Sequence, residues 1–279
     1  MKKALLSSTR RRAVAFALAS LACATFAVAV SANHPWRKYH WARTSNPFTI
    51  QLGDNVSSAW DSYLREASAD WSVSSVLDTT VVAGGTNGTD CRMTLGRVEV
   101  CNANYGSTGW LGIASISISG SHITAGSVKN NDYYFNQPRY NTPSWRRMVM
   151  CQEVGHTFGL DHQDENFRNL NLGTCMDYSN DPSGTAGTNG SLNNEHPNQH
   201  DYDQLVTIYS HFDSTSTVGQ KTAPAKMPPA MADIIFEGPG QWGKLVRGSR
   251  AQGHSLYELD FGGGHRIYTH VIWASDEHQ

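Results

Sequence analysis

Apolar positions recur at two different spacings along this chain, and the changes of spacing mark its elements. In NVSSAWDSYLREASADWS (55–72), Trp60, Tyr63, Leu64, Ala67 and Trp71 fall three or four residues apart, which predicts one apolar face of a helix. FTIQL (48–52) and DTTVVA (78–83) flank it with strand composition. A strand, helix, strand succession of this kind predicts parallel neighbours. Short strands are expected at 92–95 and 97–101. GIASISISGSHITAGSVKNND (112–132) alternates with period two and turns at SGSH. Pro143 and Ser144 open a helix that is expected to run from about 144 to Gly159, where glycine stops it. Residues 163–196 are rich in Asn, Asp, Gly and Ser and read as a long loop region. Pro197 opens a further helix, with Leu205, Ile208, Tyr209 and Phe212 on its apolar face.

Four segments follow from this pattern. Residues 1–32 join a basic start (Lys2, Lys3, Arg10, Arg11, Arg12) to an apolar run ending in Val30-Ser31-Ala32, the form of a cleaved export signal. Residues 33–213 carry the main domain. Residues 214–233 (STSTVGQKTAPAKMPPAMAD) have linker composition. Residues 234–279 hold strand-like runs split by glycines and are expected to form a small β-rich module. There, Trp242 and Trp273 read as core packing rather than as a binding face.

Removing the first 32 residues takes the formal charge from −2 to −7. An acidic secreted protein without a basic cluster is not expected to bind nucleic acid, nor a membrane once the signal is cut. Its expected partner is a protein or peptide substrate, and a monomer is expected. Cys91, Cys101, Cys151 and Cys175 remain, an even number suited to disulfides. Three pairings are open. Bridges 91–101 and 151–175 are favoured, the second worth roughly 3 kcal/mol in loop closure.

CQEVGHTFGLDH (151–162) carries the chemistry. On a helix, position 152 and His156 face the same way, with Glu153 beside them. Gly159 lets the chain turn so that His162 can return to the same place. A catalytic zinc takes three protein ligands and one water, and a neighbouring Glu can remove that water's proton.

With Met176 and Tyr178 in the following TCMDY, this stretch resembles the metzincin zinc peptidases, whose signature is HExxHxxGxxH followed by a Met-turn. Glu153, His156, Gly159, His162 and Met176 match; position 152 is Gln where the signature has His. The resemblance covers residues 45–213. It implies an α+β metzincin-like fold, a twisted mixed sheet with a motif helix and a C-terminal helix. It also implies a secreted zinc endopeptidase with Glu153 as general base and Tyr178 as an oxyanion stabiliser.

Gln152 leaves three readings open. Its amide oxygen is the third ligand beside His156 and His162; or another group fills in, Asp161 and His122 being candidates; or zinc is lost and a pseudoprotease binds peptides without cutting them. Glu153 could instead pair with Arg146 or Arg147. The Asp- and Asn-rich loops are a weaker site for Ca2+, their ordinary reading being solvated loop chemistry. His196, His200 and His211 read as surface or packing residues.

Overall fold

In the computed structural model, residues 34–36, 38–224 and 226–275 are described. The expected export signal, residues 1–32, lies outside them. The strands are β1 (His40–Trp41), β2 (Phe48–Asn55), β3 (Leu77–Ala83), β4 (Val98–Ala103), β5 (Trp110–Ser119), β6 (His122–Asn131), β7 (Lys244–Ser249), β8 (His254–Gly262) and β9 (His265–Trp273). The α-helices are α1 (Asp61–Trp71), α2 (Asp132–Phe135), α3 (Pro143–His156), α4 (Gln199–Ile208) and α5 (Pro239–Trp242). Together they make a mixed α+β structure with one large sheet.

The sheet runs β3-β2-β4-β6-β5-β9-β8-β7, with β1 also paired to β6. β2 and β3 are parallel, joined through α1, and β4 continues the parallel part against β2 and β6. From β6 onward the pairing is antiparallel. The turn at SGSH joins β5 to β6. Residues 92–95 lie outside any strand, so the expected pair of short strands there reduces to β4.

α1 buries Leu64, Ala67 and Trp71 and packs against α3. α3 begins at a Thr142 cap whose side chain accepts from the Trp145 amide, with Pro143 in the first turn. It ends at His156, three residues short of Gly159. Gly159 takes φ +96° and turns the chain; a Cβ there would sit 2.5 Å from the Tyr39 carbonyl oxygen. Disulfides join Cys91 to Cys101 and Cys151 to Cys175.

The C-terminal region differs from the expectation. Residues 234–279 do not stand apart as a small module. β9 pairs with β5 along its length, so these strands extend the main sheet. The described residues, between 34 and 275, fall in one compact unit. The reason lies in the packing: Ile267 and Val271 of β9, with Trp242 and Phe236, bury against Trp110 and Ile113 of β5. Residues 214–233 are no free linker either. The amides of Thr217 and Gly219 donate to the carbonyls of Ala42 and Gly96, and Met231 is buried in the same cluster.

Candidate metal centre

α3 supplies Glu153 and His156, and the turn at Gly159 returns His162 to the same place. The third imidazole is His270, in the middle of β9 and opposite Ala114 of β5. The ring centroids lie 4.5 Å (His156–His162), 4.1 Å (His156–His270) and 4.4 Å (His162–His270) apart. One ligand nitrogen from each falls within 4.8 Å of the others. All three rings are buried.

Each ring keeps a nitrogen without a hydrogen-bond partner. His156 donates from Nδ1 to the Leu160 carbonyl at 2.8 Å, which leaves Nε2 with a lone pair and no partner. His270 meets the Tyr178 hydroxyl through Nε2 at 2.7 Å, which leaves Nδ1. His162 Nε2 has no partner. Burial holds all three in the neutral form: the His156 pKa falls to about 4, and those of His162 and His270 fall well below the usual value. Neutral imidazoles with inward lone pairs are the state that ligates a metal.

Glu153 completes the group. Its carboxylate is fully buried, neither oxygen has a hydrogen-bond partner, and Oε2 lies 3.6 Å from His270 Nδ1. Arg146 and Arg147, the alternative partners, are turned elsewhere. Arg147 pairs with Glu66 and Glu195, and Arg146 bonds the Phe135 carbonyl and Asn141. With no partner, burial pushes the Glu153 carboxyl well above the usual carboxylate range. Gly112 on β5 makes the space, since a Cβ there would lie 2.8 Å from Glu153 Oε1.

Gln152 is buried beside Glu153 on α3. Its Nε2 donates to the Cys175 carbonyl at 2.7 Å, and its Oε1 has no partner. The other two candidate ligands are already paired, although Asp161 Oδ1 also lies 3.4 Å from His162 Nδ1. Asp161 receives Arg247 Nη2 at 2.5 and 2.6 Å, and His122 faces Asp213. Met176 is buried in the main core, its carbonyl accepting from the Gln163 amide at 2.6 Å. The Tyr178 amide donates to the Asp164 carbonyl. These two bonds set the turn beside His162. Tyr178 is fully buried, its ring 4.3 Å from that of His162.

Two features control approach to the centre. The segment His34–Trp36 lies across it: Pro35 bridges Leu160, the Trp36 amide donates to Gly159, and the Trp36 ring stacks on His156 at 5.1 Å. On another side, a hollow of about 700 Å³ is lined by Glu165, Phe167, Gly253 and His254. Glu165 and His254 reach the centre: Glu165 Oε1 lies 3.5 Å from His162 Nδ1, and the His254 ring 6.1 Å from that of His162.

The Asp/Asn loops considered for calcium use many of their polar groups on themselves, while Asn169 Oδ1, Asn171 Oδ1 and Asp177 Oδ1 have no hydrogen-bond partner. Asp181 accepts from the amides of Ala186 and Gly187, and Asn171 and Asn189 bond backbone carbonyls across the loop. His270 escaped the sequence reading because it sits in an apolar run, IYTHVIWA, that reads only as a strand. The available signal was a lone imidazole at the centre of a strand apolar enough to be buried on both faces.

No family model matches the chain, and no curated protein matches it. Solved structures similar to it include that of myroilysin, at 14% identity and a TM-score of 0.36, covering 63% of this chain and 98% of that one. The functional reading therefore rests on the centre itself.

Proposed function

We propose that this protein is a secreted zinc-dependent endopeptidase whose metal is held by His156, His162 and His270. The observation that carries the reading is the Glu153 carboxylate: buried, without a partner, and beside three imidazole nitrogens that also lack partners. An unpaired buried carboxylate costs stability, and a metal with its water is the occupant that would satisfy it and the three nitrogens together. Imidazole donors suit zinc, and three protein ligands leave a position open for water and substrate.

Bound zinc supplies an acidified water and a positive charge for the carbonyl oxygen of the scissile bond. With a metal held by His156, His162 and His270, the Glu153 carboxylate would be the base that accepts a proton from the attacking water and the acid that returns it to the leaving amine. A cation beside it would draw that carboxyl back toward the usual range. Tyr178 holds His270: with the Nε2 proton given to the phenol oxygen, Nδ1 keeps the lone pair for the metal. We assign it this positioning task ahead of the oxyanion role. In this reading Gln152 supports the turn at Cys175, and its place as third ligand passes to His270. The hollow beside Glu165 and His254 is the approach for a peptide.

A second reading, a peptide-binding module without catalysis, is favoured by the complete burial of Glu153 and His156 and by the Trp36 ring stacked on His156. The two part on one assay. The zinc-loaded protein should cleave an unfolded protein, and Glu153→Gln should abolish cleavage while keeping the metal. Cleavage at equal rates by both would remove Glu153 from the chemistry, and a wild type that holds zinc but cleaves nothing would establish the binding module.

A further inference from the structure

A second histidine cluster lies apart from Glu153, where the start of β1, the start of β6 and the chain after α4 meet. His40, His122 and His211 all turn Nε2 toward one oxygen, Oδ1 of Asp213, at 3.4, 3.1 and 3.7 Å. His40, His211 and Asp213 also place their ligand atoms within 4.8 Å of one another. The other oxygen of Asp213 is already satisfied. Oδ2 accepts from the Arg43 backbone amide and from Arg43 Nη1, both at 3.1 Å. Arg43 Nη2 also donates to the His211 carbonyl, which fixes the backbone of that segment.

The hydrogen-bond accounting leaves His40 with a conflict. Its Nδ1 donates to the Lys38 carbonyl at 2.8 Å, so in the neutral ring Nε2 is an acceptor. It faces a carboxylate oxygen, which is also an acceptor. Two lone pairs then meet in a largely buried place, and a cation between them resolves the conflict. The spacing suits one. Ligands about 2.0–2.1 Å from a tetrahedral zinc stand about 3.3–3.4 Å from each other; the three Nε2–Oδ1 distances are 3.1–3.7 Å, and the ligand atoms of His40 and His211 lie within 4.8 Å of one another. The Lys38 carbonyl is the kind of outer partner that fixes a ligating histidine's tautomer. The cluster is open to solvent through a hollow lined by Lys38, His40, Ser121 and His211, so an ion has a way in. Arg43 and Lys38 are the cations nearby; Arg43 is spent on the opposite oxygen of Asp213.

We propose that His40, His211 and Asp213, with His122 at the open side, form a second binding site for zinc or a similar divalent transition metal. The ion joins three segments that are far apart in sequence. It pins β1, and with it the segment His34–Trp36 that crosses the catalytic histidines. Its carboxylate lies among the ligands rather than beside them, which suits a structural site. It holds whether or not the buried centre cuts peptides.

The test counts metal. The full chain is produced by secretion, purified without a histidine tag, equilibrated with zinc at pH 7.5 and desalted. Zinc per chain is then measured for wild type, for His122→Ala/His211→Ala, and for His270→Ala. His122 and His211 are 33% and 56% exposed, so their removal leaves the core in place. The expected counts are two, one and one, with a lower Tm for the double variant in zinc and equal Tm values for it and wild type in EDTA. A double variant that keeps the wild-type count overturns the proposal. So does a wild type with one zinc that falls to none in His270→Ala. One zinc kept in His270→Ala but lost in the double variant upholds this site and instead removes the buried centre's claim to the metal.

Discussion

The two histidine clusters use the same side chains in opposite settings. At the buried centre, His156 Nε2, His162 Nε2 and His270 Nδ1 have no hydrogen-bond partner, and the Glu153 carboxylate stands at the side, also without one. At the rim, Asp213 sits in the middle of its histidines and is held by Arg43 on its far oxygen. A carboxylate inside the donor set neutralises a cation and fills its coordination. A carboxylate beside the set is left free to accept a proton. In the proposed reading this difference separates a reactive centre from a staple.

The comparison breaks most visibly at Glu153. Glu153→Gln should lower peptide hydrolysis by about 10²–10⁴-fold, the usual worth of a positioned general base, with zinc content unchanged. An equal rate would place the proton transfer elsewhere. Truncating Trp242, a fully buried side chain that belongs to neither cluster, should come next. Trp242→Ala is expected to cost about 3–5 kcal/mol in denaturant unfolding, because it hollows the core that seats β9. An independent C-terminal module would let the rest of the protein unfold at its original midpoint.

Smaller effects sharpen the account. Tyr178→Phe removes the partner of His270 Nε2 and should weaken zinc binding at the buried centre by about 10–100-fold, measured by competition with a chelator. No change would deny the tyrosine its positioning task. The smallest effect concerns His196, which donates to Asp70 at 2.8 Å and whose pKa is raised by that bond. A raised pKa in the folded state favours folding at low pH. The contribution is therefore complete below about 6.5 and fades as pH rises through the folded value. The pair is partly exposed, so the slope is shallow. His196→Gln should flatten it in unfolding curves taken between pH 5 and 8.

Much of the buried centre was legible because its parts are local. Glu153, His156 and His162 sit at helical spacing with a glycine turn, and Met176 and Tyr178 follow within one loop. The same holds for β2, α1 and β3, whose periodicities change where the elements do. His270 was not legible. Its meaning depends on β9 pairing with β5 more than 150 residues away, and strand pairing across such a distance leaves no mark on local spacing. The rim cluster was hidden for the same reason, its members being one histidine from each of three distant segments. The C-terminal segment misled because glycine turns and short strands look alike in a separate module and in a sheet's last hairpin. Only the burial of Trp242, Ile267 and Val271 against β5 tells them apart.

The central claim is that His270, arriving from the last strand, takes the place that position 152 leaves open. A crystal structure of the zinc-loaded protein, with data collected on both sides of the zinc absorption edge, tests it most directly. The account predicts an anomalous peak about 2.0–2.1 Å from His156 Nε2, His162 Nε2 and His270 Nδ1, with Glu153 next to the ligated water. A peak bound by Gln152 Oε1, with His270 outside its reach, would contradict it.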